Sequence, residues 1–157
     1  MTSHWLMKSE PHVYPWSQLV KDGSTHWDGV RNYQARNIMR DQMKVGDMVL
    51  FYHSNCKPPH VAGIAKVCKE AYPDFTAQDP GSKYFDPKAT PENPRWMMVD
   101  IEPIMELSPV TLPELRQNGD LEGMPLLMRG QRLSVQPVSA EHFAIVCQMG
   151  GLDSNSL

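Results

Sequence analysis

The chain has 157 residues, about the length of one domain, and at this size it can bury about 68–70% of its unfolded surface without staples. Hydrophobic residues make up 41% and charged residues 21%, and the formal net charge is −3, ordinary globular usage that argues against a chain coated with positive charge. No apolar run approaches the ~18 residues of a membrane span, and Met1-Thr2-Ser3-His4-Trp5 lacks the basic-then-apolar layout of a secretory leader. The expectation is therefore a single, ordered, non-membrane domain over residues 1–157. The three cysteines, Cys56, Cys68 and Cys147, are odd in number, widely spaced and without a CxxC pair. That pattern suits a reduced, cytoplasmic chain.

The charge is unevenly placed. Between Arg31 and Lys69 there are seven basic and two acidic residues, and between Glu70 and Glu122 eleven acidic and four basic. A near-neutral total can hide a basic face beside an acidic one, although two solvated surfaces would look the same.

In chain order, Trp5–Lys8 reads as a short strand. Pro15 opens a helix with Trp16, Leu19 and Val20 at helical spacing. Tyr33–Met43 reads as a second helix with Ile38 and Met39 inward, and Gly46-Asp47 as a turn. The dense apolar run Met48–His53 predicts a strand buried on both faces. His60–Tyr72 predicts another, with Val61, Gly63, Ala65 and Val67 alternating against Ala62, Ile64, Lys66 and Cys68. The Pro-, Asp- and Lys-rich stretch Tyr72–Pro94 carries Tyr84 and Phe85 and reads as an ordered loop packed on the core. Trp96–Leu107 is the longest strand candidate, with Pro103 marking an edge or a bulge. Thr111-Leu112-Pro113-Glu114 has the pattern of a capping box. Leu133–Val138 alternates as a last strand. Ser139 then opens a final helix with Phe143, Ile145, Val146 and Met149 as its stripe, stopped at Gly150-Gly151. These elements predict an α+β fold, a small curled or closed sheet with short helices on its rim. A parallel sheet is disfavoured, because full-length crossover helices and a Gly-rich phosphate loop are both lacking.

Five places could carry chemistry. In Trp27-Asp28-Gly29-Val30-Arg31-Asn32-Tyr33-Gln34-Ala35-Arg36-Asn37, aromatic, guanidinium and carboxamide groups are interleaved. Aromatics stack on bases, carboxamides can match a base edge and arginine pairs with phosphate, but a capped turn into an amphipathic helix explains the same residues. Lys8-Ser9-Glu10-Pro11 and His53-Ser54 leave strand ends, where pocket mouths or simple turns form. His53, Cys56 and His60 have spacing that could suggest zinc, yet a fourth ligand is missing. In Arg129-Gly130-Gln131-Arg132, arginines flank a glycine ahead of a strand and could meet an anion or lie solvated on a turn. No carboxylate pair is spaced for acid–base work.

Taken together, Trp5–Pro11, the Trp27–Asn37 segment, Val49–Ser54, Gly63-Ile64-Ala65 and Arg132–Val138 resemble, in order and over nearly the whole chain, the blocks of the EVE domain family. The resemblance implies a PUA-like mixed β-barrel with peripheral helices, related to YTH domains. It also implies a pocket for a modified nucleobase, modified cytosine in DNA being the usual ligand, with a modified RNA base as the other. Carried over by position, that pocket would use Lys8, Ser9, Glu10, Trp27, Gly29, Val30, Asn32, His53, Ser54, Leu133, Ser134 and Val135, with Trp27 in the place of a cage tryptophan. Arg31, Arg36 and Arg132 would contact phosphate. On this reading the chain is a cytoplasmic, monomeric, non-enzymatic binder of nucleic acid with neither cofactor nor metal. Two other readings stand beside it: an enzyme acting on a modified nucleoside with His53 as acid–base group, and an interaction protein that docks through Glu70–Glu122.

Overall fold

The computed structural model describes residues 2–153, 155 and 157. Six strands form one sheet: β1 (His4–Ser9), β2 (Thr25–His26), β3 (Met48–His53), β4 (His60–Pro73), β5 (Met97–Thr111) and β6 (Val135–Val138). Four short helices accompany them: α1 (Trp16–Asp22), α2 (Tyr33–Asp41), α3 (Leu112–Gln117) and α4 (Ala140–Met149). The strand order is β2-β5-β4-β3-β1-β6. β1 runs parallel to β3, and every other pairing is antiparallel. The disfavoured parallel geometry is thus limited to one pair. Its connection carries both α1 and α2, which supplies the long crossover a parallel pair needs.

The barrel implied by the resemblance is corrected. The sheet is mixed but open, and among the described residues no pairing joins β2 to β6. The edge strands have two and four residues, too short to close a ladder. Curl comes instead from bulges. The β4–β5 register shifts between Val61 and Gly63, Ile64 and Ala65, Val67 and Lys69, and Lys69 and Tyr72. Each extra residue bends the strand and swaps which face the following side chains occupy. The simple alternation expected along β4 is broken accordingly: Ala62, Ala65 and Val67 enter one core cluster, and Val61 and Ile64 the other. The shift at Pro103, which pairs with Ala65 next to Met105 opposite Ile64, is the bulge that proline signalled.

The two clusters cover the two faces of the sheet. Trp5, Met7, Val49 and Phe51 face α1 and α2, while Leu6, Leu50 and Tyr52 face α3 and α4. A strand covered on both sides has no polar face, which is why β3 reads as an unbroken apolar run. Caps set the helix ends. The Asn32 side chain accepts from the Ala35 N–H, Ser139 accepts from His142, and Thr111 and Glu114 complete the capping box. The connection from β4 to β5 is ordered: Ala77, Ala89 and Trp96 form a small core of their own, the Trp96 Nε1–H donates to Asp86 at 2.7 Å, and the Trp96 ring stacks on Tyr33 of α2 with centroids 4.8 Å apart.

Candidate functional site

A cleft of about 830 Å³ opens where the ends of several elements meet. One wall is the end of β1, with Lys8, Ser9 and Glu10. The opposite wall is the irregular segment after β2, with Trp27, Asp28, Gly29, Val30 and Arg31. Tyr84 of the long loop and Ser134 just before β6 close it further. The chain ends are stitched by backbone bonds: Lys8 N–H donates to Ser134 O at 2.9 Å, and Trp27 N–H to Val99 O at 2.8 Å. Ser9 Oγ donates to Tyr14 O at 2.7 Å, which fixes the turn into α1.

Trp27 is only 9% exposed. Its ring meets Phe51 edge-on, with centroids 5.6 Å apart at 88°. It is at once a core residue and a wall of the cleft, so the surface it offers to the cleft is rigid. Gly29 has φ +79°, and a Cβ there would lie 2.6 Å from the Tyr84 ring. Only glycine lets the wall and that tyrosine approach so closely.

Asp74 organises this wall from 45 residues away. Its fully buried carboxylate accepts from Gly29 N–H at 2.9 Å, Arg31 Nη1 at 3.1 Å and Thr76 N–H at 2.9 Å, and also from the Thr76 hydroxyl. Burial pushes its carboxyl up, but the bonds from Thr76, Gly29 and Arg31 outweigh burial and hold it below the usual carboxylate range. Arg31 in turn donates to Tyr84 O at 2.6 Å, carrying the loop to the cleft. Asp28 differs: burial raises its pKa, the nearby Asp74 charge adds to this, and His26 Nε2 at 3.9 Å opposes it. Burial also lowers the pKa of the Lys8 amine.

Of the residues expected in the pocket, Lys8, Ser9, Glu10, Trp27, Gly29, Val30 and Ser134 line this cleft. The others stand around it. The exposed Asn32 spends its side-chain oxygen capping α2. Ser54 N–H donates to Ser9 O at 3.1 Å, bracing the β1 end from behind. Val135 is buried in the α1/α2 cluster with Leu133 packed against it. His53 is 5% exposed; its Nε2 accepts from Trp16 N–H at 3.2 Å, so the proton sits on Nδ1, which donates to Ser9 O at 3.1 Å. Both ring nitrogens are thus engaged by backbone groups, which leaves His53 no free donor for a metal with Cys56 and His60 and no lone pair for acid–base work in the cleft. Among the expected phosphate contacts, Arg31 is held by Asp74 and Tyr84. Arg36 donates to Arg95 O at 2.8 Å and to Asn37 Oδ1 at 2.8 and 3.1 Å, and Arg132 is exposed. Tyr84 lines the cleft and Asp74 braces its wall from behind, two roles that no local spacing singled out. The acidic stretch is likewise partly turned inward, through Asp74 and Asp86.

The His53 geometry makes a pH prediction. Burial lowers its pKa, with the bond to Ser9 O raising it and His60 lowering it further. A protonated Nε2 would point a donor at the Trp16 N–H. The contribution of the neutral ring is therefore complete above the unfolded pKa of about 6.5 and is lost as the pH falls toward the depressed folded value. Thermal melts between pH 7.5 and 5 should show a falling Tm, and a His53→Gln variant should lose that part of the slope; an unchanged slope would refute the assigned tautomer.

The comparisons with known proteins agree with the fold. The family model for the EVE domain matches residues 3–149. Thymocyte nuclear protein 1 from Homo sapiens is 41% identical over 173 residues, covering 95% of this chain and 74% of the relative. The structure of a hypothetical protein from Leishmania major superposes with a TM-score of 0.91 at 51% identity, covering 96% of each chain. The Human THYN1 protein, solved in complex with 5-methylcytosine-containing DNA, superposes with a TM-score of 0.86 at 41% identity, covering 95% of this chain and 98% of that one. With its blocks in order, its sheet and its helices all in place, this chain belongs to the EVE domain family.

Proposed function

We propose that the cleft receives one unstacked nucleobase carrying a modification, 5-methylcytosine in DNA being the ligand best supported, and that the protein acts as a reader and not as a catalyst. The observation that carries this reading is the single cleft that gathers Trp27 with polar groups from the β1 end and from Ser134, in a chain 41% identical to a THYN1 protein solved with 5-methylcytosine-containing DNA. Its volume of about 830 Å³ leaves ample room for a base and its sugar. A wall indole offers stacking of about 1–3 kcal/mol. The carboxyl of Asp28, the Ser9 hydroxyl and backbone groups near Ser134 offer acceptors and donors at the base edge, each worth about 0.5–1.5 kcal/mol net. The engagement of both His53 nitrogens by backbone weighs against the enzymatic alternative.

The energetics bound the selectivity. Flipping a base out of duplex costs a few kcal/mol, so single-stranded or mismatched substrate should bind more tightly. Burying one methyl is worth only about 0.8 kcal/mol, roughly fourfold in affinity. Fluorescence anisotropy with matched oligonucleotides, modified and plain, single- and double-stranded, at fixed salt, should show the modified single strand bound best by about fourfold or more. Equal affinity for the modified and plain oligonucleotides would remove the reading.

A further inference from the structure

We infer that Arg116, Arg129 and Arg132 form a docking surface for nucleic-acid phosphates outside the base cleft, and that this surface supplies the protein's electrostatic attraction for the strand. The inference rests on the chain's binding nucleic acid, but not on which base it reads.

The argument starts from where the arginines are spent. Of the seven, Arg31 is bound to Asp74 and Tyr84 O, Arg36 to Arg95 O and Asn37, Arg40 to Asp41 at 2.8 Å, and Arg95 lies 3.5 Å from Asp86. A guanidinium whose donors are already satisfied has little left for a phosphate. Among the described residues the side chains of Arg116, Arg129 and Arg132 make no hydrogen bond or ion pair, and all three are exposed. They line one surface basin of about 550 Å³, together with the Gly130 turn at φ +79°. α3 delivers Arg116, and the loop before β6 delivers the other two.

The cleft cannot do this work itself. Its lining pairs Lys8, Arg31 and Lys83 against Glu10, Asp22 and Asp28, so it has no net charge to attract a polyanion to a chain of net charge −3. The basin is next to it along the backbone. Arg132 lines the basin and Ser134 lines the cleft, and two residues span at most about 7 Å of chain, close to the spacing of neighbouring phosphates. A strand whose base enters the cleft past Ser134 would carry its flanking phosphates across Arg132 and on toward Arg129 and Arg116. Free guanidinium groups are suited to this, since they pair with phosphate oxygens two at a time and are weakly hydrated.

The test is the salt dependence of binding to a single-stranded oligonucleotide, in modified and plain versions, for the full chain and three variants. For single strands the slope of log K against log salt falls by about 0.7 for each phosphate that is no longer neutralised. Arg116→Ala/Arg129→Ala/Arg132→Ala should flatten the slope by about 2 and weaken binding on the order of 100-fold at 0.1 M salt, equally for both oligonucleotides. The corresponding triple Arg→Lys variant should keep most of the slope, and Arg40→Ala all of it. Because the three side chains are exposed, the melting temperature should not move. A triple Ala variant that is folded and keeps the wild-type slope overturns the proposal, as does loss of binding to polyglutamate with the DNA slope intact, which would assign the patch to an acidic protein partner. The two readings fail separately: a flattened slope without preference for the modified base sinks the base assignment alone, and a retained preference with an unchanged slope sinks the patch alone.

Discussion

Replacing Trp27 by alanine should abolish the preference for a modified base and destabilise the protein at the same time. The binding loss follows from stacking, about 1–3 kcal/mol, or roughly 5- to 150-fold in Kd. The stability loss follows from where the ring sits. Trp27 is 9% exposed and packs edge-on to Phe51 within the core cluster that covers α1 and α2. Truncating such a ring removes buried surface and leaves a cavity, about 3–5 kcal/mol for Trp to Ala. For a domain of this size that is about 10 °C in Tm, at about 2–4 °C per kcal/mol. A ring that is also a core residue cannot be removed with the fold unaffected. Trp27→Phe is therefore the sharper probe. It keeps an aromatic plane and most of the apolar fill, so its Tm should fall less than in the alanine variant while binding weakens severalfold. Anisotropy titrations at a temperature where each variant is folded by circular dichroism decide the matter. Wild-type affinity and preference in a folded Trp27→Ala protein would show that the indole is not the stacking surface.

Asp74→Ala should lower stability by about 3–5 kcal/mol, because it strips the partner from the half-buried Arg31 guanidinium. It also frees the Gly29 N–H and both Thr76 donors. Binding should weaken too, although Asp74 does not line the cleft. Re-ordering even one residue of the released wall costs about 1–2 kcal/mol on binding, which is about tenfold in Kd. Asp74→Asn, which keeps one acceptor without the charge, should fall between the two. The carboxylate also gives a pH signature. Its folded pKa is held below the ordinary range by Thr76, Gly29 and Arg31 against the effect of burial. Its stabilisation is thus complete above the unfolded carboxylate pKa of about 4 and disappears as the pH falls through the depressed folded value. Urea titrations from pH 6 to 2 should show this loss in the wild type and a flatter profile in Asp74→Asn. A wild-type profile in the variant would mean that Asp74 does not carry the pair. Both Asp74 and His53 therefore lose their stabilising contributions in acid, over separate ranges: His53 from about pH 6.5 downward and Asp74 from about pH 4 downward.

Local chemistry written in the chain was enough for most of the elements, though not for the two-residue β2 or for the full length of β5. Asn32, Thr111 with Glu114, and Ser139 mark helix starts by accepting from N–H groups within three residues of themselves, and such interactions need no tertiary partner. The same holds for β3, where burial on both faces leaves an unbroken apolar run, and for the proline that marks the β5 bulge. Half of the cleft was legible for a related reason: Lys8–Glu10 and Trp27–Val30 are contiguous segments at strand ends, where the chain has to leave the sheet.

What tertiary structure alone decided is the use to which each polar side chain is put. Arg31 and Arg36 look like free cations in the sequence, yet they are spent on Asp74, Tyr84 O and Arg95 O, which lie 43, 53 and 59 residues away. His53 looks like an acid–base group and is locked between Ser9 and Trp16. Asn32 looks like a base-edge reader and serves as a helix cap. The open sheet, in place of a closed barrel, likewise depends on how short β2 and β6 become once paired. Propensity and spacing act over a few residues, whereas a charge is satisfied by whichever partner the fold brings within about 3 Å, and no local pattern encodes that distance.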